Sequence, residues 1–222
     1  PLLVTGNNLY CKVDLFMKPN ENTERLHDMT QLIKRMSAFL LCLMLLMGAF
    51  TETALAAPDW PSDVSVQAES GIVIDADTVR WGQNIHNQYF PASITKIMTA
   101  LIVIEKCSLD ETVTFSHNAV FNVEAGSSNA GINEGDKLSV KDCLYALLLK
   151  SANESANALA EHVAGSTEAF ADMMNAKAKE LGCTDTHFAN PSGLNDENHY
   201  TTAHDMALIA RAAIQNPEFL TI

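Results

Sequence analysis

From Ser93 to Glu105 the chain is an almost unbroken apolar run that reads as one helix. A helix with so little polar surface cannot face water, so it must lie inside its domain. The composition can supply the surroundings: 47% of residues are apolar and 18% charged, enough apolar mass for one core. Those proportions exclude a disordered tail, a coiled coil and a collagen-like repeat, and no solenoid period is present. Lys and Arg number 14 against 27 Asp and Glu, a net charge of −13. That balance argues against a general binder of nucleic acid or anionic membrane.

Upstream of this domain lies a different kind of segment. Met29-Thr30-Gln31-Leu32-Ile33-Lys34-Arg35 leads into an apolar run from Met36 to Phe50, then Ala54-Leu55-Ala56. A basic start, an apolar centre and an Ala-x-Ala end describe a secretory signal peptide over 29–56. The run is shorter than the roughly 20 residues that a bilayer span needs. Residues 1–28 begin at Pro1, show no amphipathic period, and read as sequence upstream of a true start at Met29. Residues 57–222 are then expected to be one exported domain, bound for the cell envelope. The exported part holds Cys107, Cys143 and Cys183. An odd number excludes a complete disulfide framework, and their spacing is not that of a zinc site. They are expected as buried thiols, or with one pair bridged after export.

Within the domain, Gly71–Asp75 predicts a buried strand and Val79–Ile85 its hairpin partner. Val113–Phe115 is a weaker strand candidate, and Ser116–Asp136, rich in Gly, Asn and Ser, reads as irregular loop. Ser139 with Asp142 resembles a capping box opening a helix to Leu149. A second helix runs from Asn153 to Val163 and stops at Gly165, and a third from Thr167 to Leu181, closed by Gly182. Phe188–Tyr200 is a polar loop. Thr202 with Asp205 opens a last helix bearing Met206, Ile209 and Ala213, which is still running where the sequence stops at Ile222. The pattern is that of an α/β (α+β) domain, expected to be a fragment cut before its C-terminal strands.

The chemistry starts at Ser93-Ile94-Thr95-Lys96. Positions three apart on a helix share a face, with Cβ atoms roughly 5–6 Å apart. A serine hydroxyl needs a base, and a lysine serves if it is uncharged. Burial lowers a lysine's pKa, and a nearby cation lowers it further. The expected arrangement is therefore a hydroxyl and a neutral amine meeting in a dry pocket. Pro91 fixes the helix start, so first-turn N–H groups without intrahelical acceptors can face an oxyanion. Nucleophiles of the Ser-x-x-Lys kind are accompanied by a Ser-x-Asn on a facing loop. That string occurs four times, beginning at Ser116, Ser127, Ser151 and Ser155. Only Ser151-Ala152-Asn153 sits at a joint between two apolar helices, where a polar turn can point into a cleft. An ordinary N-cap is the alternative role for Ser151.

The segment Tyr89-Phe90-Pro91-Ala92-Ser93-Ile94-Thr95-Lys96-Ile97-Met98-Thr99-Ala100 resembles the active-site segment of the serine D-alanyl-D-alanine carboxypeptidases, the low-molecular-mass penicillin-binding proteins. Leu147 to Ala160, with Ser151-Ala152-Asn153 inside it, is similar to their second motif. Thr186-His187-Phe188, Asn190-Pro191-Ser192-Gly193-Leu194 and His199-Tyr200-Thr201-Thr202-Ala203 add to the likeness, which runs from about Ala68 to Glu218. The resemblance implies a β-lactamase/transpeptidase-like domain, an antiparallel sheet flanked by helices. It also implies that Ser93 attacks the D-alanyl-D-alanine bond of peptidoglycan stem peptides. Lys96 would be the base, Ser151 a proton relay and Asn153 the substrate holder. β-Lactams would acylate the same serine, and no cofactor or metal is implied. The family's third motif, Lys-Thr-Gly or a close variant, is not found in these 222 residues, so the fragment is expected to be inactive alone. The family's C-terminal segment for peripheral membrane association would lie beyond it too.

Other readings share parts of this pattern. A serine β-lactamase needs a further group for deacylation, and Glu197 is an acidic loop residue with nothing to distinguish it from a solvated one. A zinc peptidase is raised by Asp196, Glu197, His199, His204 and Asp205, which lack the spacing of a ligand set. A non-catalytic peptidoglycan-binding relative is opposed by the intact Ser93, Lys96, Ser151 and Asn153.

Overall fold

The computed structural model of the chain describes residues 32–37, 66–75 and 78–222. Residues 32–37 are helical with exposed side chains and belong to a unit ending at Asp59. Apart from them, the expected signal peptide and the stretch 1–28 lie outside the described residues. Among the described residues, no helix is long and apolar enough to cross a membrane.

The second unit, Trp60–Ile222, is built around the predicted apolar helix. Its α-helical part, α1, spans Lys96–Lys106, preceded by a 3₁₀ turn over Ala92–Thr95. The chain therefore enters one turn tighter than a continuous helix from Ser93. Met98, Ala100 and Val103 are fully buried. Around α1 pack α3 (Val140–Leu149), α4 (Asn153–Ala164), α5 (Thr167–Glu180), α6 (Ala203–Ile214) and α7 (Pro217–Thr221). Local signals set most of these bounds. Ser139, Ser166 and Thr202 each accept an N–H from the residue three positions on, and Gly165 ends α4 in the left-handed region.

Among the described residues, the sheet material is two separate antiparallel pairs. β1 (Gly71–Asp75) pairs with β2 (Thr78–Gln83), with an irregularity between Val73 and Ile74, and α6 packs against β1. β2 stops short of the expected Ile85 because the chain turns at Asn84, φ 49°. β3 (Thr112–Thr114) pairs with β4 (Lys137–Ser139), a strand too short to show alternation in the sequence. The expected loop after β3 contains a short helix, α2 (His117–Phe121), capped by Ser116. The last predicted helix is broken at Gln215–Asn216, where Asn216 caps α7 and Pro217 takes its first position.

The three domain cysteines are free thiols; Cys143, in α3, is buried, whereas Cys107, after α1, and Cys183, after α5, are only partly so. Two of the three thus depart from the buried thiols expected, and no pair is bridged.

One connection matters for the site. Tyr89 and Thr201 exchange both backbone hydrogen bonds, at 2.9 and 3.0 Å. The segment entering the 3₁₀ turn is thereby tied to the loop running from α5 to α6.

Candidate active site

Ser93 lies on the 3₁₀ turn and Lys96 is the first residue of α1. Side chains three apart in a 3₁₀ turn eclipse one another, which places Lys96 Nζ 3.4 Å from Ser93 Oγ. The amine is buried, with Lys96 2% exposed, whereas Ser93 itself is exposed. The expected dry pocket closes around the lysine only.

An ammonium has three donors, and Lys96 uses three acceptors from three segments. Besides Ser93 Oγ, Nζ donates to Asn153 Oδ1 at 2.8 Å and to the Ser192 carbonyl at 2.6 Å. Burial pushes the Lys96 pKa down to about 8, and the Glu154 carboxylate pulls against that shift. At pH 7 about one lysine in ten is then uncharged. Glu154 is itself buried, with Oε1 accepting from the Ala130 N–H at 2.6 Å.

Ser151 sits between α3 and α4 in the left-handed region, φ 58°. The N-cap of α4 is Ala152, so Ser151 is not the ordinary cap that its sequence position allowed. Its hydroxyl instead donates to Ser93 Oγ at 3.0 Å. Asn153, 4% exposed, opens α4, and its N–H donates to the Ser128 carbonyl at 3.0 Å. Because a charged ammonium only donates, Oδ1 must face Lys96, which turns the Asn153 NH₂ the other way. Ser93, Lys96, Ser151 and Asn153 thus form one cluster. Ser116 and Ser155, from the competing Ser-x-Asn strings, are engaged elsewhere, with Glu161 and with the Cys143 carbonyl.

The loop from His187 to Thr201 completes the surroundings; sequence reasoning weighed Asp196, Glu197 and His199 only as zinc or deacylation candidates and gave Asn190, Pro191, Ser192 and Gly193 no individual roles. Thr99 Oγ1 donates to the Pro191 carbonyl at 2.7 Å, next to the carbonyl that holds Lys96. Asn190 Oδ1 accepts from the N–H groups of Ser192 and Gly193, which fixes that bend. Gly193 has φ +84°, and a Cβ there would collide with the Ala92 carbonyl. Ala92 is also in the left-handed region, φ 49°. The loop backbone therefore lies directly on the turn that carries Ser93.

His199 holds the other end of this contact. It is 1% exposed, sits edge-on to Phe188, and its Nε2 is 2.8 Å from Thr95 Oγ1. The Ala189 N–H donates to His199 Nδ1 at 3.1 Å, so Nδ1 carries no proton and Nε2 is the donor to Thr95. Burial pushes the His199 pKa down to about 4, with Asp196 opposing and His187 adding to the shift. The five groups raised as a zinc set, three in the loop and two in the first turn of α6, do not converge. His199 turns inward, Asp205 accepts from the Asp185 N–H and the Thr186 hydroxyl, and Glu197 is exposed.

Comparison with known proteins identifies the family. The family described as D-alanyl-D-alanine carboxypeptidase matches residues 53–222. The chain belongs to that family. It is 36% identical over 189 residues to the D-alanyl-D-alanine carboxypeptidase DacF of Bacillus subtilis, covering 81% of this chain and 47% of DacF. Against the D-alanyl-D-alanine endopeptidase of Escherichia coli it is 33% identical over 82% of this chain and 60% of that protein. Among solved structures, DacD from Francisella tularensis superposes with a TM-score of 0.68 at 38% identity, covering 77% of this chain and 44% of that one. A serine-to-alanine mutant of the Streptomyces K15 DD-transpeptidase gives 0.68 at 30% identity, over 71% and 65% of the two chains. The fold is thus that of the penicillin-binding DD-peptidases, and the chain spans about half the length of the curated carboxypeptidases it matches.

Two outcomes follow for the loop. Gly193→Ala adds a methyl where backbone already stands and removes the residue suited to positive φ. It should lower stability by about 2–4 kcal/mol, read from a denaturant midpoint; an unchanged midpoint would contradict the close approach. For His199, the unfolded chain takes up a proton near pH 6.5 and the folded chain near 4. Stability is therefore whole above pH 6.5 and falls as pH drops towards 4, by on the order of 3 kcal/mol. Urea titrations at pH 7, 5.5 and 4.5 should show this loss shrinking in His199→Gln; equal losses in both proteins would assign it to other groups.

Proposed function

We propose that this protein hydrolyses the terminal D-alanyl-D-alanine bond of peptidoglycan stem peptides through a serine acyl-enzyme, in cell-wall maturation. The observation that carries the reading is that Ser93 Oγ is the shared acceptor for Lys96 Nζ and Ser151 Oγ, at 3.4 and 3.0 Å. One hydroxyl is thereby joined to a buried amine and to a second hydroxyl that can pass a proton.

In the reactive form Lys96 is neutral and the polarity of its bond to Ser93 reverses. Ser93 Oγ gives its proton to Nζ as the oxygen bonds to the carbonyl carbon of the penultimate D-alanine. The tetrahedral intermediate collapses by breaking the C–N bond, and the proton returns through Ser151 to the nitrogen of the departing D-alanine. Water, deprotonated by the same amine, then cleaves the ester and restores Ser93. The Asn153 NH₂, turned away from Lys96, is suited to hold a substrate peptide carbonyl. β-Lactams present a cyclic amide to the same hydroxyl and are expected to stop at the acyl stage. The basic and apolar pattern of 29–56 supports a site outside the cytoplasm.

The groups among the described residues leave the Lys96 pKa above neutrality. Its pKa of about 8 is set against an anion, Glu154, and Ser93 is open to water. A second cation, as in the Lys-Thr-Gly motif of such enzymes, would supply the remaining shift. The strand that carries this motif would also line the substrate site, so the 222 residues alone are expected to be inactive. The test uses the complete gene product with a fluorescent penicillin and a D-alanyl-D-alanine-terminated peptide. Stoichiometric labelling at Ser93 and D-alanine release are expected, both falling at least about 10³-fold in Ser93→Ala. Labelling of another residue, or D-alanine release that survives Ser93→Ala, would refute the mechanism.

A further inference from the structure

At the other end of α1, about 16 Å along the helix from Lys96, three side chains from separate parts of the fold converge. Cys107 is the C-cap of α1, Glu111 lies just before β3, and His162 is in the last turn of α4. One ligand atom from each, the thiol sulfur, a carboxylate oxygen and an imidazole nitrogen, lies within 4.8 Å of both others. None takes part in the chemistry at Ser93, and the cysteine spacing gave no sign of such a set.

The geometry of the three is that of a held site. His162 Nε2 is 3.0 Å from Glu111 Oε2. The other carboxylate oxygen, Oε1, accepts from the Ser108 N–H at 2.6 Å, and the Glu111 N–H returns to the Ser108 carbonyl at 3.1 Å. One oxygen is therefore occupied by backbone and the other aimed at the imidazole, as outer hydrogen bonds orient metal ligands. A tetrahedral ion with bonds of about 2.0 Å to N and O and 2.3 Å to S spaces its ligand atoms about 3.3–3.6 Å apart. The carboxylate–imidazole pair, at 3.0 Å, is near that spacing, and the Cys107 sulfur lies within 4.8 Å of both.

The donor chemistry points the same way. Thiolate, carboxylate and imidazole together carry two negative charges and suit a borderline-soft divalent ion. Glu111 is partly open to solvent, which leaves an approach and room for water.

We propose that Cys107, Glu111 and His162 bind a divalent transition-metal ion of the zinc class, with water in the fourth position. The ion clips the end of α1 to the end of α4 and does not depend on the reaction assigned to Ser93. Cobalt(II) added to the complete, reduced, metal-free protein is the probe. The expected result is a thiolate-to-cobalt absorption band in the near ultraviolet that saturates at one equivalent and is displaced by zinc. Cys107→Ser should abolish the band and Cys183→Ser should leave it. His162→Ala, with an unchanged circular dichroism spectrum, should weaken binding about tenfold or more. Absence of the band in the wild-type protein, or its survival in Cys107→Ser, would overturn the site and leave a plain His–Glu ion pair beside a thiol.

Discussion

A buried ammonium is costly unless each of its protons is bonded, and Lys96 meets that demand with acceptors from three separate segments. The 3₁₀ turn, the joint before α4 and the loop before α6 are all fixed by one side chain. Moving any one of them leaves a donor unmet in a place that water does not reach. Two non-glycine residues in the left-handed region, Ala92 and Ser151, stand at this meeting point. Each costs about 1–2 kcal/mol against an ordinary conformation. That strain is concentrated where two hydroxyls have to face one amine.

The same arrangement sets a limit on the chemistry. Burial drives Lys96 towards the neutral form that a base requires, while Glu154 and the hydrogen bonds that satisfy the ammonium favour the charged form. A neutral His199 lies one residue's contact away, bonded to Thr95 between Ser93 and Lys96. Keeping it uncharged prevents a second buried cation from forming against the turn, and its fixed tautomer gives Thr95 a single partner. The loop is thus a structural counterpart to the helix rather than a passive connection.

Much of this was legible in the residues. The apolar run announced a central helix, Gly165 and the Ser and Thr caps marked most helix ends, and Ser151 was separable from its rivals by its place between two helices. What escaped depended on contacts distant in sequence. Lys96 and Ser192 are 96 positions apart, and Thr95 and His199 are 104 apart, so no local period could couple them. The 3₁₀ start of α1 was hidden because helical spacing of Ser93 and Lys96 looks alike in either winding. Cys107, Glu111 and His162 were invisible for the same reason of distance. The break before α7 was a different case, since Asn216-Pro217 carried its own signal.

The charge state of Lys96 is the quantity on which the site depends. Nuclear magnetic resonance of selectively labelled lysine, assigned through Lys96→Arg and followed from pH 6 to 11, would report it directly. A midpoint near 8 is expected, displaced downward in Glu154→Gln because a neighbouring anion has been removed. A midpoint at the ordinary lysine value of 10.5, unmoved by Glu154→Gln, would show that the amine is solvated and that Ser93 has no base beside it.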